Sequence, residues 1–194
     1  MCSRTSPLTI SRECLFNGII ENKDRLNSEI QILGNAALMA LAKVAFLSSR
    51  RVAPAAVMCC YDWATEMRGG GRGAPSGHAG RVTLPCVIGG FQSALERDVL
   101  KLLLPAGGPS IVMVLARGMW RNVPMEYREV INSGRMLVVS TFTQGVVRGS
   151  KETAAKRNAF VLDHCDEAVF ASLDPNGSLA RLVAARPNLR YKVL

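Results

Sequence analysis

The sequence predicts an α/β fold: a doubly wound, mostly parallel sheet with helices on both faces. Three observations carry that expectation. Short apolar runs at 43–47, 86–88, 110–115, 136–139 and 167–171 have the length of buried strands. Helix-length segments separate them, and strands alternating with helices call for parallel pairing through crossovers. Small and polar residues also gather at three strand-to-helix junctions, the edge where open α/β sheets receive anionic ligands.

Residues 1–30 are polar and mixed. They are expected to form an N-terminal extension, disordered over the first ten residues and helical around 11–26. The domain proper is expected over 31–194. It opens with a turn at Leu33-Gly34-Asn35, a helical turn at 36–41 and the first strand at 43–47. Pro54 suits the first turn of a helix over 54–67, which Gly69-Gly70-Gly71 stops. Residues 69–85 are rich in Gly, Pro and Arg without apolar period and are expected to be a flexible surface loop. Their Gly-x-Gly fragments are not a dinucleotide fingerprint, because no strand feeds them and no helix follows.

The second strand, 86–88, leads through Gly89-Gly90-Phe91-Gln92-Ser93 into a helix over 94–104, with Leu95, Val99, Leu102 and Leu103 inward. A third strand at 110–115 leaves through Arg117-Gly118. A helix over 124–133 ends at Gly134, a suitable C′ residue. The fourth strand (136–139), a loop (141–149), a helix (151–162), the fifth strand (167–171), a helix (178–185) and an edge strand at 191–194 complete the chain.

The chain has 194 residues, 48% hydrophobic and 20% charged, enough for one full core. Its formal charge of +9 favours nucleotides, nucleic acid or acidic surfaces as partners. Six cysteines (Cys2, Cys14, Cys59, Cys60, Cys86 and Cys165) form no C-x-x-C pair and read as buried free thiols of a reducing cytosol. His78 and His164 lack metal-ligand or triad spacing, so neither a metal nor a cofactor is expected. No signal peptide is apparent. The apolar stretch at 36–47 is interrupted by Lys43 and is too short to span a bilayer, so a cytoplasmic protein without membrane contact is expected.

The candidate ligand residues sit at the junctions. They are Ser48, Ser49 and Arg50 after the first strand, Gly89, Gly90, Phe91, Gln92 and Ser93 after the second, and Asn176, Gly177 and Ser178 after the fifth. Loops of this kind present backbone N–H groups to a phosphate at a helix N-terminus; the competing reading is tight turns with N-caps. Arg117 would add charge. Arg157 and Asn158 could bind phosphate and base, or belong to a solvated helix face. Glu96 has two readings: a working carboxylate beside a bound sugar, or the acid of a capping box with Ser93, a place where Gln serves as well.

A family resemblance follows from several stretches in order. Ile32-Leu33-Gly34-Asn35-Ala36-Ala37-Leu38 followed by Val44-Ala45-Phe46-Leu47-Ser48-Ser49-Arg50 resembles the Gly-Asp-x-x-Leu-Leu stretch and Gly-Ser-Arg strand end of the DNA-processing protein A (DprA/Smf) family. Gly134-Arg135-Met136-Leu137-Val138-Val139-Ser140 resembles its Gly-x-Leu-Leu-Ser-Glu-Phe strand. Lys156-Arg157-Asn158 resembles its Arg-Asn-Arg element, and Asn176-Gly177-Ser178-Leu179 its Ser-Gly-Ser-Leu turn. The resemblance spans about residues 31–185 and implies a Rossmann-like domain that binds single-stranded DNA or a nucleotide without catalysis, with a homodimer possible.

Gly89-Gly90-Phe91-Gln92-Ser93-Ala94-Leu95-Glu96 departs from the family's own loop. It is similar to the Gly-Gly-x-Gly-Thr-x-x-Glu loop of the related LOG proteins, with Gln92 in place of a Gly. That similarity implies an alternative, hydrolysis of nucleoside monophosphates with Glu96 as the catalytic carboxylate. A third alternative is a non-catalytic nucleotide-sensing module. The family's N-terminal helical domain and C-terminal winged helix have no counterpart in this sequence, so recombinase loading is not expected.

Overall fold

The computed structural model describes residues 8–9, 30–49, 51–70 and 85–194. Arg50, His78, Cys2, Cys14, the predicted helix at 11–26 and most of the predicted loop at 69–85 lie outside the described residues. The strands are β1 (Leu8–Thr9), β2 (Gln31–Gly34), β3 (Lys43–Leu47), β4 (Cys86–Gly89), β5 (Ile111–Leu115), β6 (Met136–Ser140), β7 (Glu167–Phe170) and β8 (Arg190–Val193). They form one sheet in the order β1-β2-β6-β5-β4-β3-β7-β8. The six strands from β6 to β8 are parallel; β2 joins β6 antiparallel, and β1 joins β2 antiparallel.

The helices are α1 (Pro54–Thr65), α2 (Ala94–Leu103), α3 (Met125–Asn132), α4 (Lys151–Asp163) and α5 (Ser178–Ala184). A π turn, Glu66–Gly70, extends α1 until Gly69 takes φ +81°. A 3-10 turn, Ala36–Ala40, starts at Asn35, whose side chain accepts from the Ala37 N–H. The sequence predicts a turn at 33–35; the structure instead pairs Leu33 and Gly34 with Val138 and Leu137 as part of β2. Gly34 makes this pairing possible at φ +104°, where a Cβ would collide with the Met136 carbonyl.

Period-two alternation divides the apolar strand residues between two cores. Phe46, Val87, Ile111, Met113, Met136 and Val138 face α1, α2 and α3, with Phe46 stacked on Trp63 at 4.8 Å. Ala45, Leu47, Ile88, Val112, Val114, Leu137 and Val139 face the layer containing α4 and α5. Both faces of the central strands are therefore dry, which explains their nearly continuous apolar runs. Cys60 and Cys86 are buried, and burial pushes their thiols up to about 11 and about 12. Cys59 is exposed and Cys165 partly so, which corrects the expectation that these thiols are all buried. No helix among the described residues is long and apolar enough to cross a membrane.

After β6 the chain returns across the sheet to place β7 on the other side of β3, so strand order switches between β3 and β7. Their carboxyl ends, with that of β4 beside them, form the crevice where such sheets bind ligands. At the opposite edge the Arg135 guanidinium holds the end of α2. It donates to the carbonyls of Leu104 (2.6 Å), Pro105 (3.2 Å), Gly108 (3.1 Å) and Pro109 (3.2 Å). Helix ends leave such carbonyls without partners, and a planar fork with several donors serves them together.

Arg135→Ala should therefore lower unfolding stability by about 2–3 kcal/mol, the loss of charge-assisted bonds to partly buried acceptors. Arg135→Lys should recover only part of it, because a point ammonium cannot span the same carbonyls. Denaturant midpoints of the three proteins check this; equal midpoints would refute it.

Candidate phosphate and nucleic-acid site

At the crevice, β4 runs out through Gly89 and Gly90 into Phe91, which takes φ +49°. A left-handed conformation is uncommon for a bulky residue. It is held because the Phe91 ring is buried in the α1–α3 core. The chain thus turns sharply into Ser93, the N-cap of α2, whose Oγ accepts from the Glu96 N–H at 3.1 Å.

Glu96 completes the capping box and reaches further. Its Oε2 accepts from the N–H groups of Ser93 (3.1 Å) and Gln92 (2.9 Å), and its Oε1 accepts from the Ser48 N–H at 3.0 Å. The side chain is only 3% exposed. The sequence predicts N–H groups open to a phosphate at these two loops. The structure places the carboxylate of Glu96 on three of them, in the position an anion takes at a helix N-terminus.

The β3 and β7 loops are latched to each other. The Ser49 N–H donates to the Ser172 carbonyl (3.2 Å), the Asp174 N–H donates to Ser49 Oγ (3.2 Å), and Ser172 Oγ donates to the Arg51 carbonyl (2.7 Å). Farther along, Asn176 N–H donates to Asp174 Oδ1 (3.0 Å) and Gly177 N–H to the Asp174 carbonyl (2.8 Å). Gly177 is the N-cap of α5 and Ser178 is exposed. Here the turn satisfies the Asn176 and Gly177 donors, Gly177 makes no side-chain cap bond to the helix it opens, and Asp174 adds a negative charge absent from the predicted site.

Arg157 overturns the solvated-face reading. It is 4% exposed, and its guanidinium covers Gly90, where a Cβ would collide with it. Its Nε donates to Asn158 Oδ1 at 2.8 Å, while the buried Nη1 has no hydrogen-bond partner. Desolvation lowers its pKa and the charge of Glu96 opposes that shift. The sequence singles out no arginine as partner of Glu96; the structure supplies Arg157. His164, at the C-cap of α4, stacks on Phe160 with Nδ1 2.7 Å from the Phe160 carbonyl, and burial pushes its pKa down. No group of three His, Cys, Asp or Glu among the described residues is arranged for a metal.

Arg117 belongs to a neighbouring part of the same edge. Ser140, at the end of β6, donates its hydroxyl to the Arg117 carbonyl (2.7 Å) and accepts from the Phe142 N–H (3.2 Å). The Gly118 N–H donates to the Val146 carbonyl at 2.9 Å. Between the two loops lies an open cleft of about 390 Å³, bounded by Arg117 to Asn122 on one side and by Gln144, Val146 and Val147 on the other. The sequence reading takes only Arg117 from this stretch. The overlooked signal is Arg117-Gly118-Met119-Trp120-Arg121-Asn122, two cations around an aromatic ring directly after a parallel strand.

Glu96→Gln should cost about 1–3 kcal/mol of stability, because an amide NH2 would face a backbone N–H that now meets a carboxylate oxygen. That exceeds the small loss expected at an ordinary N3 position, and thermal unfolding would distinguish them. Arg157→Ala should cost about 2–4 kcal/mol, since it opens a cavity over Gly90 and strips Glu96 of its counter-charge. A thermal midpoint equal to wild type would return Arg157 to the surface.

No family model matches the chain, and no curated protein does. Solved structures that share its fold include two of DNA processing protein A. DNA processing protein A from Helicobacter pylori, described for its single-stranded DNA binding, superposes with a TM-score of 0.64 at 18% identity, over 97% of this chain and 79% of that one. DNA processing protein A from Streptococcus pneumoniae gives a TM-score of 0.62 at 15% identity, over 85% of this chain and 54% of that one. The chain therefore spans about half of the S. pneumoniae protein. The fold is the DprA-like, Rossmann-type α/β fold.

Proposed function

We propose that this chain binds single-stranded DNA along the carboxyl edge of its sheet, through side-chain cations more than through loop N–H groups. The observation that carries the reading is the state of four cations there. Arg117 and Arg121 lie in the loop after β5, Arg148 lies in the loop after β6 and Lys151 opens α4, and none forms an ion pair among the described residues. Arg121, Arg148 and Lys151 are exposed. Together with a formal charge of +9, this leaves an edge whose cations are available to phosphates. The fold likeness to a single-stranded-DNA-binding protein favours DNA as the polyanion.

The hydrolase alternative has less support. Both oxygens of Glu96 already hold backbone N–H groups, and the Arg157 guanidinium lies over the adjoining Gly90. A carboxylate so placed is already engaged in fixing the loop. A nucleotide phosphate on the Gly90–Ser93 loop would likewise need the Gln92 and Ser93 N–H groups that Glu96 holds, and at the Gly177–Ser178 turn it would meet the negative charge of the neighbouring Asp174. Arg157 Nη1 is a buried side-chain donor without a partner on that side.

If four cations meet phosphates, the logarithm of affinity for a single strand should fall with the logarithm of salt concentration at a slope of about −2.8. Replacing Arg117 and Arg121 together by Gln should flatten the slope by about 1.4. Fluorescence anisotropy with a labelled oligonucleotide at several salt concentrations measures both. No binding at low salt would remove the proposal.

A further inference from the structure

The cleft between the β5 and β6 loops has features that phosphate binding alone does not use. Its floor and walls include Met119, Trp120, Val146 and Val147, and Val147 is 66% exposed. Its polar residues are Arg117, Arg121, Asn122 and Gln144, with no acidic residue among the lining. None of these four side chains forms a hydrogen bond or an ion pair among the described residues. Trp120 is half-buried and stacks on Tyr127 from α3, with ring centroids 5.4 Å apart and planes within 6°. The indole is therefore ordered before any ligand arrives and has little rotamer freedom left to lose.

An apolar, aromatic cleft with free amides and cations at its rim suits a flat heteroaromatic ring carrying a phosphate. Its volume of about 390 Å³ falls within the range of small-ligand pockets, enough for one base with its sugar. We infer that the cleft is a base pocket: one unpaired base of the bound strand enters it against Trp120, while Arg117 and Arg121 hold the flanking phosphates. This rests on the single-strand reading above. Asn122 and Gln144 each offer a donor and an acceptor and are tied to no internal partner, so they can adapt to the edge of any base. The pocket should accordingly distinguish a base from no base much more than it distinguishes one base from another.

The test compares a labelled oligothymidine with an abasic strand of the same length and charge, at one fixed low salt concentration. Wild type should bind the oligothymidine about tenfold more tightly, the scale of one base–aromatic stack. Trp120→Ala should bring the two affinities together while leaving the salt slope unchanged, since no charge is removed. Trp120→Phe should keep most of the discrimination. It also serves if Trp120→Ala fails to fold, which near-ultraviolet circular dichroism would reveal. Equal binding of both strands by wild type overturns the base pocket and leaves single-strand binding standing. Discrimination that persists in folded Trp120→Ala places the stacking elsewhere and also overturns it. Binding of neither strand removes the single-strand reading itself.

Discussion

The carboxylate of Glu96 is the constraint around which the crevice is built. A helix N-terminus that starts directly after a buried strand has donors facing inward, and water does not reach them. Glu96 answers for Gln92 and Ser93 of its own loop and for Ser48 of the next strand. One side chain thereby fixes the ends of β3 and β4 relative to each other and to α2. The left-handed Phe91, whose ring is locked in the core, is tolerated because the turn around it is determined from both sides.

Burying that carboxylate brings in a second charge. Arg157 projects from α4, on the opposite face of the sheet from α2, and reaches the same crevice over Gly90. Only a residue without a Cβ leaves room there, so Gly90 is a packing requirement of the guanidinium rather than evidence of an open phosphate loop. The two charges do not form a close ion pair, but Glu96 offsets part of the desolvation of Arg157. The unpartnered Nη1 is what remains when a large cation is packed for position and not for hydrogen bonding.

Much of the fold is legible in the sequence because local signals and burial agree. The runs at 43–47, 86–88 and 110–115 become parallel strands, Pro54 and Ser93 open helices, and Gly134 closes one at φ +75°. β2 escapes, since Gln31–Gly34 is short and its Gly reads as a turn; only the neighbouring β6 makes it a strand. The Ser93–Glu96 capping box is visible as a spacing of three. The bond from Ser48 to Glu96 is not, because it joins residues 48 positions apart. Arg157 is misread for a related reason. Between Lys156 and Asn158 it resembles a solvated face, and nothing in the surrounding residues tells that Gly90 lies beneath it.

With Glu96 on the Gln92, Ser93 and Ser48 donors, the proposed single-strand binding relies on side chains the fold leaves unused. Those lie one and two strands away, on the loops after β5 and β6, where Ser140 and the Gly118–Val146 bond hold the backbone without engaging the side chains. The division has a physical logic. Backbone N–H groups are few and directional, so they suit a fixed internal partner such as Glu96. Long cationic side chains and a half-buried indole tolerate variation in a flexible polyanion. In the proposed interface, such an edge would keep its loops rigid through Glu96 and Arg157 while its outer cations adjusted to a single strand, so that the order of the site and the adaptability of the interface would reside in different residues.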